Sequence, residues 1–203
     1  RFLLGSRCRG GTELDIAASI ARNLRGRQDK DMDQPTHGAM DVQRVRIRGW
    51  GYTVSLTFAV EPLVDIWDEM MECAFAHWLE TSMYKNGETL CPKLSRYQQY
   101  EKLGWYFEFV ARHDGDFVGF CGMYLVPSMH TQEALATEDI LYIKPEYRHG
   151  RNALRFYQFI EVEMQQRGAK KIMLTAPPES VANKLLTHMG CEHSANQYSK
   201  RLD

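Results

Sequence analysis

The apolar positions of this chain change period several times, and each change marks an element. Thr53-Val54-Ser55-Leu56-Thr57-Phe58-Ala59-Val60 is β-branched and reads as a strand. Glu61-Pro62 then opens a helix, with Pro near its first position. Leu63, Ile66, Trp67, Met70, Met71, Ala74, Phe75 and Trp78 follow at helical spacing and form its core-facing stripe, with His77 beside them on the helix surface. Residues 82–93 are a loop broken by Asn86-Gly87 and Cys91-Pro92. Ser95 to Leu103 is a short helix stopped by Gly104. Trp105 to Arg112 and Phe117 to Val126 are two strands of a hairpin turning at Asp114-Gly115.

After a loop from Pro127 to Ala136, Glu138 to Ile143 is a strand. Ala153, Phe156, Tyr157, Ile160 and Met164 mark one face of the next helix, which ends at Gly168. Lys171 to Thr175 is a short strand, parallel to the one before because a helix connects them. Pro177-Pro178-Glu179 starts a last helix, through Leu186 to Gly190, and a final strand is expected around Gln197 to Leu202. The order is β-α-α-β-β-β-α-β-α-β. An antiparallel meander feeding one crossover predicts an α/β chain of the α+β type, with a mixed, mostly antiparallel sheet and helices on both faces.

Residues 1–50 carry no such pattern. They hold ten of the 25 Lys and Arg and six of the 26 Asp and Glu, so this quarter is basic while the whole chain is at −1. It is read as an extension, poorly ordered apart from a weak helix from Glu13 to Leu24, with a docked arm or partner-binding segment as the alternative. Residues 51–203 are then the domain. A chain opening on Arg1 is read as a processed product, a fragment or one carrying added residues. With 44 % hydrophobic residues among 203, a real core is expected, and no apolar run spans a bilayer. Five cysteines without C-x-x-C spacing argue for a reducing, cytoplasmic setting and against a disulfide framework or a zinc site. The overall charge gives no nucleic-acid signature.

The chemistry concentrates at Arg148-His149-Gly150-Arg151-Asn152-Ala153, between a strand and an amphipathic helix. Such a turn gathers backbone N–H groups at a helix N-terminus, Gly150 allows close approach, and Arg148 and Arg151 supply charge-assisted bonds. That combination suits a pyrophosphate. The alternative is an ordinary helix start with solvated arginines.

The element order, and the run Ile140 to Leu154 with its Lys144-Pro145-Glu146-Tyr147 phrase, resemble the GNAT superfamily of CoA-dependent N-acyltransferases over residues 52–202. The loop is more compact than the family's usual form, with Gly150 two positions after Arg148 and Ala153 in the last small position. Similar compact loops occur in small members, phage-encoded ones included. The resemblance implies an acyl-CoA cofactor, most simply acetyl-CoA, held by the loop residues 148–153. It implies that the strand before the loop splays from its neighbour, so that backbone groups of Leu141 and Ile143 meet the pantetheine arm and thioester. Asn183 on the last helix is a further candidate contact with the arm.

Acyl transfer to an amine needs a base. Glu138 is the first candidate, Asp139 the second and His130 the third, against a plain capping or ion-pairing role for the carboxylates. The family's Tyr acid falls at Leu186 here, so Tyr142, Tyr198 or His188 would have to serve, or none does. Tyr84, Tyr97, Tyr100, Glu80, Glu88 and Glu101 are candidates for an acceptor cleft; the plainer reading is packed tyrosines and solvated glutamates. The expected partner is a primary amine on a small molecule or a protein lysine, attacked directly in a ternary complex. The family also allows a homodimer. The competing reading is a GNAT-fold structural or interaction protein, phage-related or otherwise, with weak or no catalysis.

Overall fold

This computed structural model describes residues 55–81, 89–197 and 200. The first strand, β1, is Thr57–Val60, and helix α1 is Leu63–Glu80. Helix α2, Leu94–Lys102, precedes the hairpin of β2, Tyr106–His113, and β3, Asp116–Pro127. Strand β4, Ala134–Ile143, runs into a single 3₁₀ turn, Pro145–Tyr147, and then helix α3, Asn152–Gln166. Strand β5 is Lys171–Met173 and helix α4 is Val181–His188.

The five strands form one sheet in the order β1-β2-β3-β4-β5, antiparallel throughout except for the parallel β4–β5 pair. That is the mixed sheet the element order predicts. The hairpin turns where Asp114-Gly115 was expected, and both residues take positive φ, 50° and 97°. A two-residue turn with both centres left-handed matches the twist of the strands it joins. Strand β4 starts at Ala134, four residues earlier than its pattern implied. Leu135, Ala136 and Thr137 are what pair with β5, so this part of the expected loop is sheet. The expected strand at 197–202 lies mostly outside the described residues; Gln197 and Lys200 are not in a strand. The basic extension, residues 1–50, also lies outside them.

Alternation along the strands sends side chains to two cores. Phe109, Met123, Ala136 and Ile143 meet Phe156, Ile160 and Met164 of α3 on one face. Tyr106, Val110, Phe120 and Tyr142 meet Leu63, Ile66, Met70 and Cys73 of α1 on the other. Helix α2 adds Tyr97 to this second face, and its Glu101 Oε1 accepts a 3.0 Å hydrogen bond from the Leu63 amide. Glu101 thereby satisfies one of the orphan donors at the start of α1, which has no side-chain cap of its own. Cys73 and Cys121 are buried thiols, as their apolar neighbours imply. Cys91 is disulfide-bonded, in a chain whose cysteine spacing argues against a disulfide framework. Among the described residues no helix is long and apolar enough to cross a membrane.

Candidate active site between two splayed strands

Strands β4 and β5 pair only at Leu135–Lys171, Ala136–Ile172 and Thr137–Met173. From Glu138 onward β4 continues alone on that side while it stays paired with β3 as far as Ile143. The register against β3 shifts at this point. Gly122 faces Ile140 and Met123 faces Glu138, so Asp139 is the extra residue of a β-bulge. A bulge bends its strand and re-aims its side chains, and here it falls just past the last pair with β5.

The hydrogen-bond alternation of β4 decides what lines that gap. The Lys144 amide donates to Val118 O at 2.8 Å. In an antiparallel ladder every second residue bonds the same neighbour, so Tyr142 and Ile140 also turn their backbone groups to β3. Leu141 and Ile143 turn theirs away, into the gap. Ile143 O accepts a 2.6 Å hydrogen bond from Arg148 Nε, which leaves the Ile143 amide and both backbone groups of Leu141 on that wall.

At the end of the gap the chain passes Gly150 at φ 64° and enters α3. A Cβ on Gly150 would meet nothing within 4 Å, so it is the left-handed backbone, not crowding, that calls for glycine. Arg151 precedes the helix without capping it by its side chain, and the first intrahelical bond at this end runs from the Arg155 amide to Arg151 O. The Asn152 amide donates to His149 O at 3.5 Å, while the Ala153 and Leu154 amides lack intrahelical acceptors and add to the positive end of the helix. Asn152 is 5 % exposed, and its Nδ2 donates to Tyr147 O at 3.1 Å, pinning the 3₁₀ turn to the helix start. His149, Gly150 and Arg151 are exposed, while Ala153 packs partly against the core.

Arg148 has a different employment from the one its sequence context implies. Its guanidinium makes a bidentate pair with Glu80 at 2.6 Å for each bond and lies 5.1 Å over the Tyr142 ring. It thus ties the end of α1 to the end of β4. Glu80 is held below its usual range by this guanidinium. Asn183 lies one turn into α4, where its amide donates to Ser180 Oγ at 3.0 Å.

The two carboxylates at the bulge diverge. Glu138 Oε2 accepts from the Thr175 amide at 3.4 Å, across the mouth of the gap. Burial pushes Glu138 up to about 7, against the Thr175 bond, with the neighbouring Asp139 charge adding to the rise. Tyr157 of α3 stands in the field of Glu138, and burial pushes its phenol well up. Asp139 turns to the α1/α2 side, where Tyr106 Oη donates to its Oδ2 at 3.4 Å. Burial raises it as well, and the tyrosine bond works the other way.

The remaining candidates separate. His130 and His188 are exposed, and Tyr142 is buried against Arg148 and His77. Leu186 is buried, so the position of the family's Tyr is part of the core. Glu80 and Glu101 serve as an ion-pair partner and a helix cap. Tyr97 and Tyr100 pack edge-on to Tyr106 and Tyr124. Tyr84, Glu88 and Tyr198 lie outside the described residues. Glu108, a carboxylate on an otherwise apolar strand face beside Tyr106 and Val110, is the group that sequence reasoning missed.

The GNAT acetyltransferase family model matches residues 63–191, well over half of the chain. The chain belongs to the GNAT family of acetyltransferases. Solved structures show the same fold at low identity. An aminoglycoside acetyltransferase from an uncultured soil metagenomic sample, in complex with sisomicin, superposes with a TM-score of 0.60 at 12 % identity, covering 73 % of this chain and 97 % of that one. A ribosomal-protein-alanine N-acetyltransferase from Brucella melitensis biovar Abortus 2308 gives 0.56 at 19 % identity, covering 73 % and 100 %. A predicted acetyltransferase with acetyl-CoA from Clostridium acetobutylicum gives 0.54 at 13 % identity, covering 72 % and 96 %. No curated protein matches the sequence.

Proposed function

We propose that this GNAT protein transfers an acetyl group from acetyl-CoA to a primary amine by direct attack in a ternary complex. The observation that carries the reading is the gap after Thr137–Met173, walled by outward-facing backbone of Leu141 and Ile143 and closed by the uncapped start of α3. Unpaired amides beside a helix N-terminus fit a pyrophosphate, and an unpaired strand edge fits the amide-bearing arm of the cofactor. Acetyl-CoA, when bound, supplies the activated acyl group at its thioester.

The protein's own groups do the rest. Amides of Gly150, Arg151 and Ala153 hold the phosphates, with Asn152 fixing the turn beneath them and His149 and Arg151 offering exposed side chains. Arg148 serves there by sharing its guanidinium between Glu80 and the anion. Leu141 and Ile143 align the arm, and Asn183 adds a further contact to it. A backbone N–H of this strand edge faces the carbonyl whose oxygen gains charge during attack. Glu138 takes the ammonium proton, because a carboxyl pushed up to about 7 is basic enough to accept a proton while about half of it is still ionised at neutral pH. Asp139 stands on the acceptor side. The reading goes with a cytoplasmic setting.

The test is incubation of the full chain with acetyl-CoA and a panel of primary amines, lysine peptides included. Amine-dependent release of the CoA thiol, with an acetylated amine in the mass spectrum, is the expected result. Absence of both across the panel would overturn the reading in favour of a non-catalytic GNAT-fold protein.

A further inference from the structure

The acyl-transfer reading leaves one buried polar group without a role. Glu108 of β2 is 1 % exposed. Its Oε2 lies 3.1 Å from Tyr106 Oη, and its Oε1 has no hydrogen-bond partner. Tyr106 Oη also lies 3.4 Å from Asp139 Oδ2. One phenol proton cannot satisfy two carboxylates at once. With both ionised, Glu108 would face a lone pair with one oxygen and no protein donor with the other, at 1 % exposure, and desolvation strongly opposes that. A proton on Glu108 removes the conflict. Glu108 then donates to Tyr106 Oη, and Tyr106 donates onward to Asp139.

The chain of bonds is built into the sheet. A Cβ on Gly122 would collide with the Tyr106 hydroxyl, so glycine on β3 makes the space that the phenol occupies. Gly122 is also the residue where the register shifts to create the bulge at Asp139. The other titratable groups acting here are Tyr97 and Glu101 of α2, Cys121 and Tyr124 of β3, with Tyr100 beside the latter, and Glu138 of β4. All are acids, and no cation acts on Asp139 or Glu108 among the described residues.

We propose that Tyr106 and a protonated Glu108 are positioning residues, holding Asp139 as an ionised carboxylate that receives the ammonium of the acceptor from the α1/α2 side. The proposal rests on the amine-acyltransferase reading for its occupant. Glu138 removes the proton, and Asp139 anchors the cation before it does so. Glu108 contributes as a neutral donor and exchanges no proton during turnover.

Carboxyl-detected NMR titration of the full chain tests this. Asp139 is assigned by the signal lost in Asp139→Asn, and Glu108 by the signal lost in Glu108→Gln. Glu108 stays protonated across the neutral range in the native protein, where burial holds it well above the usual carboxylate range. Tyr106→Phe raises the Asp139 midpoint by about one pH unit, since a hydrogen bond to the charged form is lost. Glu108→Gln leaves that midpoint near its native value, because an amide donates to Tyr106 as the acid does. In turnover, Tyr106→Phe raises KM for the amine about tenfold and leaves KM for acetyl-CoA unchanged. A Glu108 signal titrating between pH 4 and 7 in the unsubstituted chain, or an Asp139 midpoint indifferent to Tyr106→Phe, would overturn the arrangement without any variant having to report on activity. Equal rises in both KM values would overturn the acceptor role. Absence of amine turnover in the unsubstituted chain is a different failure, that of the function itself, and it would remove the ammonium as occupant.

Discussion

Replacing Glu138 by Gln tests the site through stability and catalysis together. Glu138 is raised from 4.5 to about 7, chiefly by burial. A carboxyl raised on folding prefers its protonated form in the native state. The folded protein therefore loses stability as pH climbs from about 4.5 through about 7 and is flat beyond. At about 1.4 kcal/mol per pH unit, this interval costs the native state at most about 3.5 kcal/mol above pH 7. Gln keeps an acceptor for the Thr175 amide and carries no charge to desolvate. Glu138→Gln should thus be more stable than the unsubstituted chain at pH 8 and equal to it near pH 4.5. With a urea slope of about 2 kcal/mol/M, the midpoint at pH 8 should rise by roughly 1 to 1.7 M. The same variant should lose about 10²-fold or more in kcat/KM, together with the acid limb of its pH profile. Urea melts at the two pH values, run beside the rate profile, give the answer. An unchanged pH dependence of stability would refute the burial argument, and an intact acid limb would exclude Glu138 as the base.

Gly150→Val places a β-branched residue at φ 64° and should cost about 1–2 kcal/mol of stability while sharply weakening acetyl-CoA binding; calorimetric titration measures the second effect, and unchanged affinity would put the phosphates elsewhere. Glu80→Gln frees Arg148 from an exposed pair worth at most about 1 kcal/mol, so denaturant midpoints should hardly move while acetyl-CoA binds more tightly at low salt. Phe156→Ala removes a fully buried ring stacked on Phe58 at 5.1 Å and should cost about 3–5 kcal/mol by chemical denaturation. A cost under 1 kcal/mol there would mean that α3 does not pack as the core requires.

The elements were legible because their patterns are local. The stripe from Leu63 to Trp78 needs one buried helix face, and Asp114-Gly115 needs only two left-handed residues. Both appear where the pattern puts them. The start of β4 was not legible, since Ala134 to Thr137 becomes strand through pairing with β3 and the distant Lys171–Met173. At the site, the splay at Leu141 and Ile143 was expected from family resemblance, and the structure adds a bulge at Asp139 just past the last β4–β5 pair. Side-chain partners escaped the sequence because they join residues far apart in the chain. Arg148 meets Glu80 across 68 positions, and Glu101 reaches the Leu63 amide across 38. Glu108 did carry a signal, as an acid alternating with Tyr106 and Val110 on a buried strand face.

The central claim is that the gap between β4 and β5 is a cofactor site, and a crystal structure of the full chain with acetyl-CoA addresses it most directly. The account predicts the pyrophosphate on the amides between Gly150 and Ala153, and the arm running along Leu141 and Ile143 with the thioester near Glu138 and Asp139. Acetyl-CoA bound elsewhere, with β4 and β5 unoccupied, would contradict it.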